Sequence, residues 1–406
     1  MIQRKEYLNE LIQWKDEQVI KVVTGIRRCG KSTLLMQYQD YLRSVGVGTD
    51  QIIAVNFEEL EYEELCDYRK LYEYIKSKLL PDRTTYIFLD EVQKVPDFEK
   101  AVDSLYVKRT TDIYITGSNA YMLSGDLATL LTGRYVEISM LPLSFREYSE
   151  LGDKDCENAF ADYMKYGGLP FVATMEKVDE KIDAYLEGIY NTVIVRDIED
   201  RQKRQEKNPD KRKINDITLL KSIAKYLVSV VGSPVSVRGI TNYLVSNGRK
   251  ISPNTVSDYV EALTESFVFY PAERFDIVGK QILKANKKYY MVDLGIRNHI
   301  LPRKDYDLGF SIENIVFFEL LRRGYKVTIG KYQDSEVDFV AQKQGMLSYI
   351  QVTADMTMKE TFDREMKPLY AIRDNYDKTV LTLDKLTVGN YDGIRVVYLL
   401  DWLKCN

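Results

Sequence analysis

Along the first third of the chain, two patterns of apolar and polar positions alternate. Short β-branched and aromatic runs, Val19–Thr24, Gln51–Phe57, Thr85–Asp90, Asp112–Thr116 and Tyr135–Met140, are almost continuously apolar, and amphipathic stretches such as Thr33–Leu42 separate them. Strands that are apolar on both faces, joined by segments of helical period, predict a parallel sheet covered on both sides. A ligand of such a sheet lies at the carboxyl edge of its strands. Residues 145 to about 200 read as a small helical lid, broken at Tyr166-Gly167-Gly168-Leu169-Pro170, and the mixed charges of Arg196–Lys213 around Asn208-Pro209 read as an exposed linker.

Three further amphipathic segments follow: Ile217–Val231, Val235–Leu244 and a helix opened by Ser252 as cap and Pro253 at its first position. With Phe267–Tyr270 and Arg274-Phe275 as strands of a wing, this is the pattern of a winged helix. From Lys287 onward, strands and helices alternate again: Tyr289–Asp293, a helix over Ile312–Arg323, then strands at Lys326–Ile329, Glu336–Val340 and Leu347–Val352. The predicted division is 1–144, the parallel-sheet α/β domain; 145–213, helical lid and linker; 214–280, winged-helix-like; and 281–406, a second α/β domain.

Chemistry enters at the turn after the first strand. Gly25-Ile26-Arg27-Arg28-Cys29-Gly30-Lys31-Ser32 spells G-x-x-x-x-G-K-[ST] between a strand and a helix. The glycines let main-chain N–H groups turn inward on a triphosphate, Lys31 reaches its β/γ-phosphates, and the Ser32 hydroxyl ligates Mg²⁺. Tyr86-Ile87-Phe88-Leu89-Asp90-Glu91 then ends a buried strand on two acids, with Asp90 placed to hold Mg²⁺ and Glu91 to polarise the attacking water. The fourth strand ends Thr116-Gly117-Ser118-Asn119. In ATPases that insert a strand between the phosphate loop and the acidic strand, a polar residue here positions that water, so Asn119 or Ser118 is the candidate; a turn or helix cap is the alternative. Arg134, ahead of the fifth strand, has two readings: a finger reaching a γ-phosphate in its own or a neighbouring subunit, or a surface ion pair.

Gly-x-Arg-Arg-x-Gly-Lys-Ser, Leu-Asp-Glu-Val-Gln, Thr-Gly-Ser, Thr-Gly-Arg and Leu-Pro-Leu-Ser-Phe-Arg-Glu (141–147) together resemble the prokaryotic AAA-type ATPases of the archaeal-ATPase-like group that carry a nuclease-like carboxyl-terminal domain. The resemblance spans nearly the whole chain. It implies a P-loop sheet of the inserted-strand type, ATP and Mg²⁺ as cofactors, and nucleotide contacts from Gly25, Arg28, Gly30, Lys31, Ser32 and Thr33.

In the last domain, the order of a helix with Glu, a strand with Asp and a strand with acid-x-Lys is that of restriction-endonuclease-like folds, in which two carboxylates hold Mg²⁺ and a lysine steadies the attacking hydroxide. Glu313 or Glu319, and Asp338, match the acids. The third element departs: Tyr349-Ile350-Gln351-Val352-Thr353 offers Gln351 in place of a carboxylate and Thr353 in place of the lysine. A degenerate centre without cleavage is the expectation.

Composition narrows the partners. With 57 basic and 61 acidic residues, a net charge of −4 gives no field that seeks polyanions. The third helix of the winged-helix region carries Asp258, Glu261 and Glu265 and no Lys or Arg, which favours a protein partner over DNA, although Arg249 and Lys250 precede it. Four scattered cysteines, with His299 as the one histidine, give no zinc spacing and fit a reducing compartment. No apolar run reaches the length of a membrane span, and the amino terminus lacks the apolar core of a secretory signal, so a cytoplasmic address without membrane contact is expected. Tyr62, Tyr68, Tyr72 and Tyr74, four of 31 tyrosines, read as packing residues or as a stacking surface. The functional expectation is an ATP-hydrolysing switch or motor, in a homo-oligomer if Arg134 serves a neighbour. The alternative is a nucleotide-gated DNA- or protein-binding module with little hydrolysis, and an ATP-dependent nuclease is a third reading.

Overall fold

The computed structural model of the chain describes residues 2–118, 131, 133–193, 216–301 and 308–404. These divide into two compact units, Met1–Pro142 with Glu265–Phe267, and Leu143–Thr264 with Val268–Asn406. The charged linker around Asn208-Pro209 lies outside the described residues.

The first unit is built on strands β1 (Ile20–Thr24), β2 (Ile52–Asn56), β3 (Thr85–Asp90), β4 (Thr111–Gly117) and β5 (Tyr135–Ser139), in the order β2-β3-β4-β1-β5 with every pair parallel. β4 lies between the strand that feeds the phosphate loop and the acidic strand, as the inserted-strand expectation requires. Every residue of β1, β3 and β4 is buried, which is why these strands read as almost continuously apolar; the two charges among them, Lys21 and Asp112, are paired with each other. Tyr62, Tyr68, Tyr72 and Tyr74 pack against the core formed by Ile53, Ile87, Leu89, Val102 and their neighbours.

The second unit begins with helices Phe145–Ser149, Cys156–Tyr166, Pro170–Thr174 and Asp179–Asn191, followed by Ile217–Ser229, Val237–Ser246 and Pro253–Glu265. The Gly-Gly-Leu-Pro break is a wrapping loop. Asp293 is buried and accepts the N–H groups of Gly168 at 2.7 Å and Ile296 at 3.1 Å. At Gly167, whose φ is 78°, a Cβ would lie 2.2 Å from Asp293 Oδ1, so only glycine allows the approach.

Its sheet has eight strands: β6 (Phe269–Asp276), β7 (Gln281–Met291), β8 (Lys326–Tyr332), β9 (Ser335–Lys343), β10 (Met346–Thr353), β11 (Asp377–Thr382), β12 (Gly389–Tyr391) and β13 (Ile394–Tyr398), in the order β12-β13-β11-β10-β9-β8-β6-β7 with mixed directions. Here the expectation is corrected. The two runs expected as strands of a wing, Phe267–Tyr270 and Arg274-Phe275, fall on the one strand β6, which pairs antiparallel with β7 and in parallel with β8 from Arg274↔Ile329 to Asp276↔Lys331, so that β6 and β7 form the edge of this sheet. The sheet therefore starts at Phe269, ahead of the expected boundary at 281. The helix Leu308–Arg322 is buried from Ser311 to Leu320 and packs on β7, β8, β9 and β10.

Candidate nucleotide site and the carboxyl-terminal acidic cluster

The phosphate loop leaves β1 at Thr24 and curls into the helix Lys31–Ser44. Gly25, Arg28 and Gly30 have φ of 142°, 66° and 105°, the sequence of left-handed and unusual backbone angles that turns consecutive amides toward one point. A Cβ on Gly25 would stand 2.1 Å from the carbonyl oxygen of Met140, so that position admits no side chain. Arg28 is exposed on the loop. Thr33 is half-buried in the first turn of the helix.

Lys31 is buried, and its ammonium donates to the carbonyls of Gly25 at 2.9 Å and Ile26 at 3.2 Å, with Glu91 Oε1 at 4.0 Å. The Thr116 hydroxyl on β4 donates to Asp90, and the Ser32 hydroxyl lies near enough to favour its charged form. Burial raises the Asp90 carboxyl above its ordinary range, a push that the Ser32 and Thr116 hydroxyls and the Lys31 charge oppose. Glu91 sits at φ 55°, an αL conformation held by its own N–H donating to Thr116 Oγ1 at 2.9 Å. A non-glycine residue kept there costs on the order of 1–3 kcal/mol. Glu91 Oε2 accepts from Ser118 Oγ at 3.2 Å and from Gln93 Nε2. Sequence reasoning named Ser118 as the second choice beside Asn119, which lies outside the described residues, and gave Gln93 no role.

Arg134 stands apart from this group. β5 pairs with β1 from Ile20↔Tyr135 to Thr24↔Ser139, so Arg134 lies at the amino edge of the sheet while the loop leaves the carboxyl edge, about 16 Å along a five-residue strand. Its guanidinium pairs with Asp103 and lies 5.6 Å from the Tyr106 ring centroid. Of the two readings of this arginine, the structure shows the surface ion pair.

The donor set suits a magnesium–nucleotide complex: a curl of amides beside one ammonium, with the Ser32 hydroxyl close to the Asp90 carboxylate on the strand beyond β4. No described helix is long and apolar enough to cross a membrane.

Residues 17–149 match the AAA domain family, and residues 157–307 match a domain of unknown function (DUF8612). The chain is 40% identical over 410 residues to an uncharacterized protein of Haemophilus influenzae, covering 99% of this chain and 98% of that one. It belongs to the family of that protein. In this family member the first unit is an AAA-type P-loop ATPase domain, the family match and the parallel sheet agreeing. The uncharacterized protein MJ1544 of Methanocaldococcus jannaschii is 28% identical, over 94% of this chain and 88% of its own length. Among solved structures, a Walker-type ATPase of Pyrococcus abyssi superposes with a TM-score of 0.46 at 14% identity, covering 74% of this chain and 96% of that one. The Orc1 protein of Aeropyrum pernix, solved in complex with DNA, gives a TM-score of 0.32 at 13% identity, covering 74% and 92%.

In the second unit the structure brings Glu313, Asp338 and Gln351 to one face of the sheet and adds a residue the sequence reading missed. Lys288 on β7 is buried and donates to Glu313 at 3.1 Å and Glu336 at 2.7 Å, while Tyr290 donates to Glu313 at 2.6 Å. Burial alone would lower the Lys288 ammonium, but the charges of Glu313, Asp338 and Glu336 outweigh it and hold it above its ordinary value. Asp338 is raised well above the usual carboxylate range by burial and by Glu313. Both ends of the Gln351 amide are used, its oxygen by the Asp338 N–H at 3.3 Å and its nitrogen donating to Glu365 at 2.9 Å. Glu319, the other choice, pairs instead with Arg322 at 3.4 Å and Arg323 at 2.8 Å. Thr353 donates to the Asp355 carbonyl at 3.1 Å. Among the described residues no three His, Cys, Asp or Glu side chains are arranged to hold a metal ion.

Proposed function

We propose that this chain binds ATP with Mg²⁺ and hydrolyses it, and that the cycle switches the conformation of the second unit. The observation that carries the reading is the convergence of Lys31, Ser32, Asp90 and Glu91 on one sheet edge, with Glu91 in a costly backbone conformation. Ser32 and Asp90 would hold the cation, which when bound supplies positive charge beside the transferring phosphoryl group. Lys31 exchanges its two loop carbonyls for phosphate oxygens, and Glu91 takes the proton of the attacking water. Loss or retention of contacts to the γ-phosphate is the switch.

Calorimetry with Mg-ATP, and turnover measured as phosphate release, test this. Lys31→Ala is expected to weaken binding by roughly 10–100-fold, the worth of one or two hydrogen bonds to a charged group. Glu91→Gln is expected to keep binding and to slow hydrolysis by about 100-fold or more, because proton transfer matters in the transition state. Full turnover in either variant defeats the proposal.

We read the mixed sheet of the second unit as a restriction-endonuclease-like fold that does not cut, since Lys288 fills its acidic cluster and Gln351 is bonded at both ends. In the helical region, Arg249 is paired with Asp216 at 2.9 Å and the third helix offers Ser257 and Glu261 to solvent, which suits a protein partner better than phosphates.

A further inference from the structure

Gln93 lies in the turn that follows the acidic strand and is buried, 8% exposed. Its Nε2 donates to Glu91 Oε2 and lies 3.4 Å from Ser118 Oγ. Its Oε1 is buried and has no hydrogen-bond partner among the described residues. The orientation of the amide is fixed by chemistry: turned over, it would set a carbonyl oxygen against a carboxylate oxygen, two acceptors facing each other. A buried acceptor left without a donor is a standing penalty, and a core built for stability alone would place an apolar side chain of this length here.

We propose that Gln93 is a catalytic residue of the hydrolysis proposed above, on which this inference rests. Its amide nitrogen holds Glu91, and its oxygen accepts one O–H of the attacking water, so that the same amide sets the direction of both the base and the nucleophile. In the step, the water oxygen forms a bond to the γ-phosphorus while the bond from that phosphorus to the bridging oxygen breaks and its electron pair leaves with ADP. The other water proton passes to the Glu91 carboxylate and then to the departing phosphate. Gln93 is neither oxidised nor protonated; it contributes orientation, which a fixed dipole supplies without reorganising.

Gln93→Met keeps the length and removes both polar atoms. It is expected to leave the affinity for Mg-ATP within about twofold and the melting temperature nearly unchanged, the loss of the bond to Glu91 offsetting removal of the unpartnered oxygen, while kcat falls by about ten- to a hundredfold at unchanged KM. Gln93→Asn, which keeps the amide on a shorter stem, is expected to fold and bind equally well and to be slow too, and it decides the matter if the methionine variant does not fold. Full kcat in both variants beside a slow Glu91→Gln overturns the role of Gln93 and leaves the hydrolytic reading standing. Loss of affinity and melting temperature together, in proportion to the lost rate, overturns it in favour of a structural part. Absence of turnover in the unaltered protein overturns both.

Discussion

Lys288 shows how one side chain decides the chemistry of a whole cluster. Its side chain is 3% exposed and its ammonium stands between Glu313 and Glu336, with the Asp338 charge also acting on it. A hydrolytic metal centre needs its carboxylates open to a cation and a water, and here a covalently tethered cation satisfies them. Taking one partner out of a buried ionic group leaves the others uncompensated, which typically costs about 3–5 kcal/mol. Lys288→Met is therefore expected to lower the unfolding free energy of the second unit by about that amount, and the further change Glu313→Gln to restore part of it. Urea unfolding followed by fluorescence measures both; a loss below about 1 kcal/mol would show that the carboxylates are solvated and that Lys288 is incidental.

At the scale of elements, Asp293 joins the loop at Gly167-Gly168 to the helix Leu294–Ile300, which it caps. Burial pushes its carboxyl up to about 6 against the opposing N–H bonds from Gly168, Ile296, Gly295 and Leu169. The folded value lies above the unfolded one of about 4, so the folded state holds the proton more tightly. The stability this gives is complete below about pH 4 and is lost as pH rises through about 6, a change of ~2–3 kcal/mol. Unfolding curves across this window are expected to fall with pH in the unaltered protein and to lose that component in Asp293→Asn; equal slopes in the two would remove Asp293 as the cause. The contrast with the phosphate loop shows what was legible. Gly25–Ser32 and Asp90-Glu91 could be read because each motif carries its own geometry in a few consecutive residues. The wing was misplaced because an apolar run such as Phe267–Tyr270 states that it pairs, not where its strand ends or which strand it joins. Lys288 and the Asp293 contact were invisible for the same reason: each acts on partners that only register and packing bring near, 125 residues apart for Gly168 and Asp293, whereas Gln93 stood in a quoted motif without a side-chain role because its direction is set by the backbone turn after Glu91.

At the scale of the whole molecule, the question is how a phosphate contact in the first unit is felt where the chain enters the second. Arg4 offers a route within the first unit. It is 2% exposed and donates to the Cys29 carbonyl of the phosphate loop at 3.0 Å, to Leu141 at 2.9 Å and to Pro142 at 3.4 Å. The Leu141 N–H in turn donates to Tyr7 at 3.0 Å, and Met140 bonds Thr24 at 2.8 Å. The last residues before Leu143 are thus fastened to the same loop that engages phosphate. A nucleotide that moved the Cys29 carbonyl is expected to move Leu141 and Pro142 with it, because the buried guanidinium bonded to both sides has no solvent to exchange with. Arg4→Lys keeps the charge but not the planar fork that reaches several carbonyls at once. In hydrogen exchange with and without a non-hydrolysable ATP analogue, the unaltered protein is expected to change its protection over residues 143–193. Arg4→Lys is expected to bind the analogue within about threefold and to lose most of that change, an uncoupling of ~1–2 kcal/mol. If protection changes equally in the variant, the signal leaves the nucleotide site by another path, and Arg4 is only a clasp on the loop.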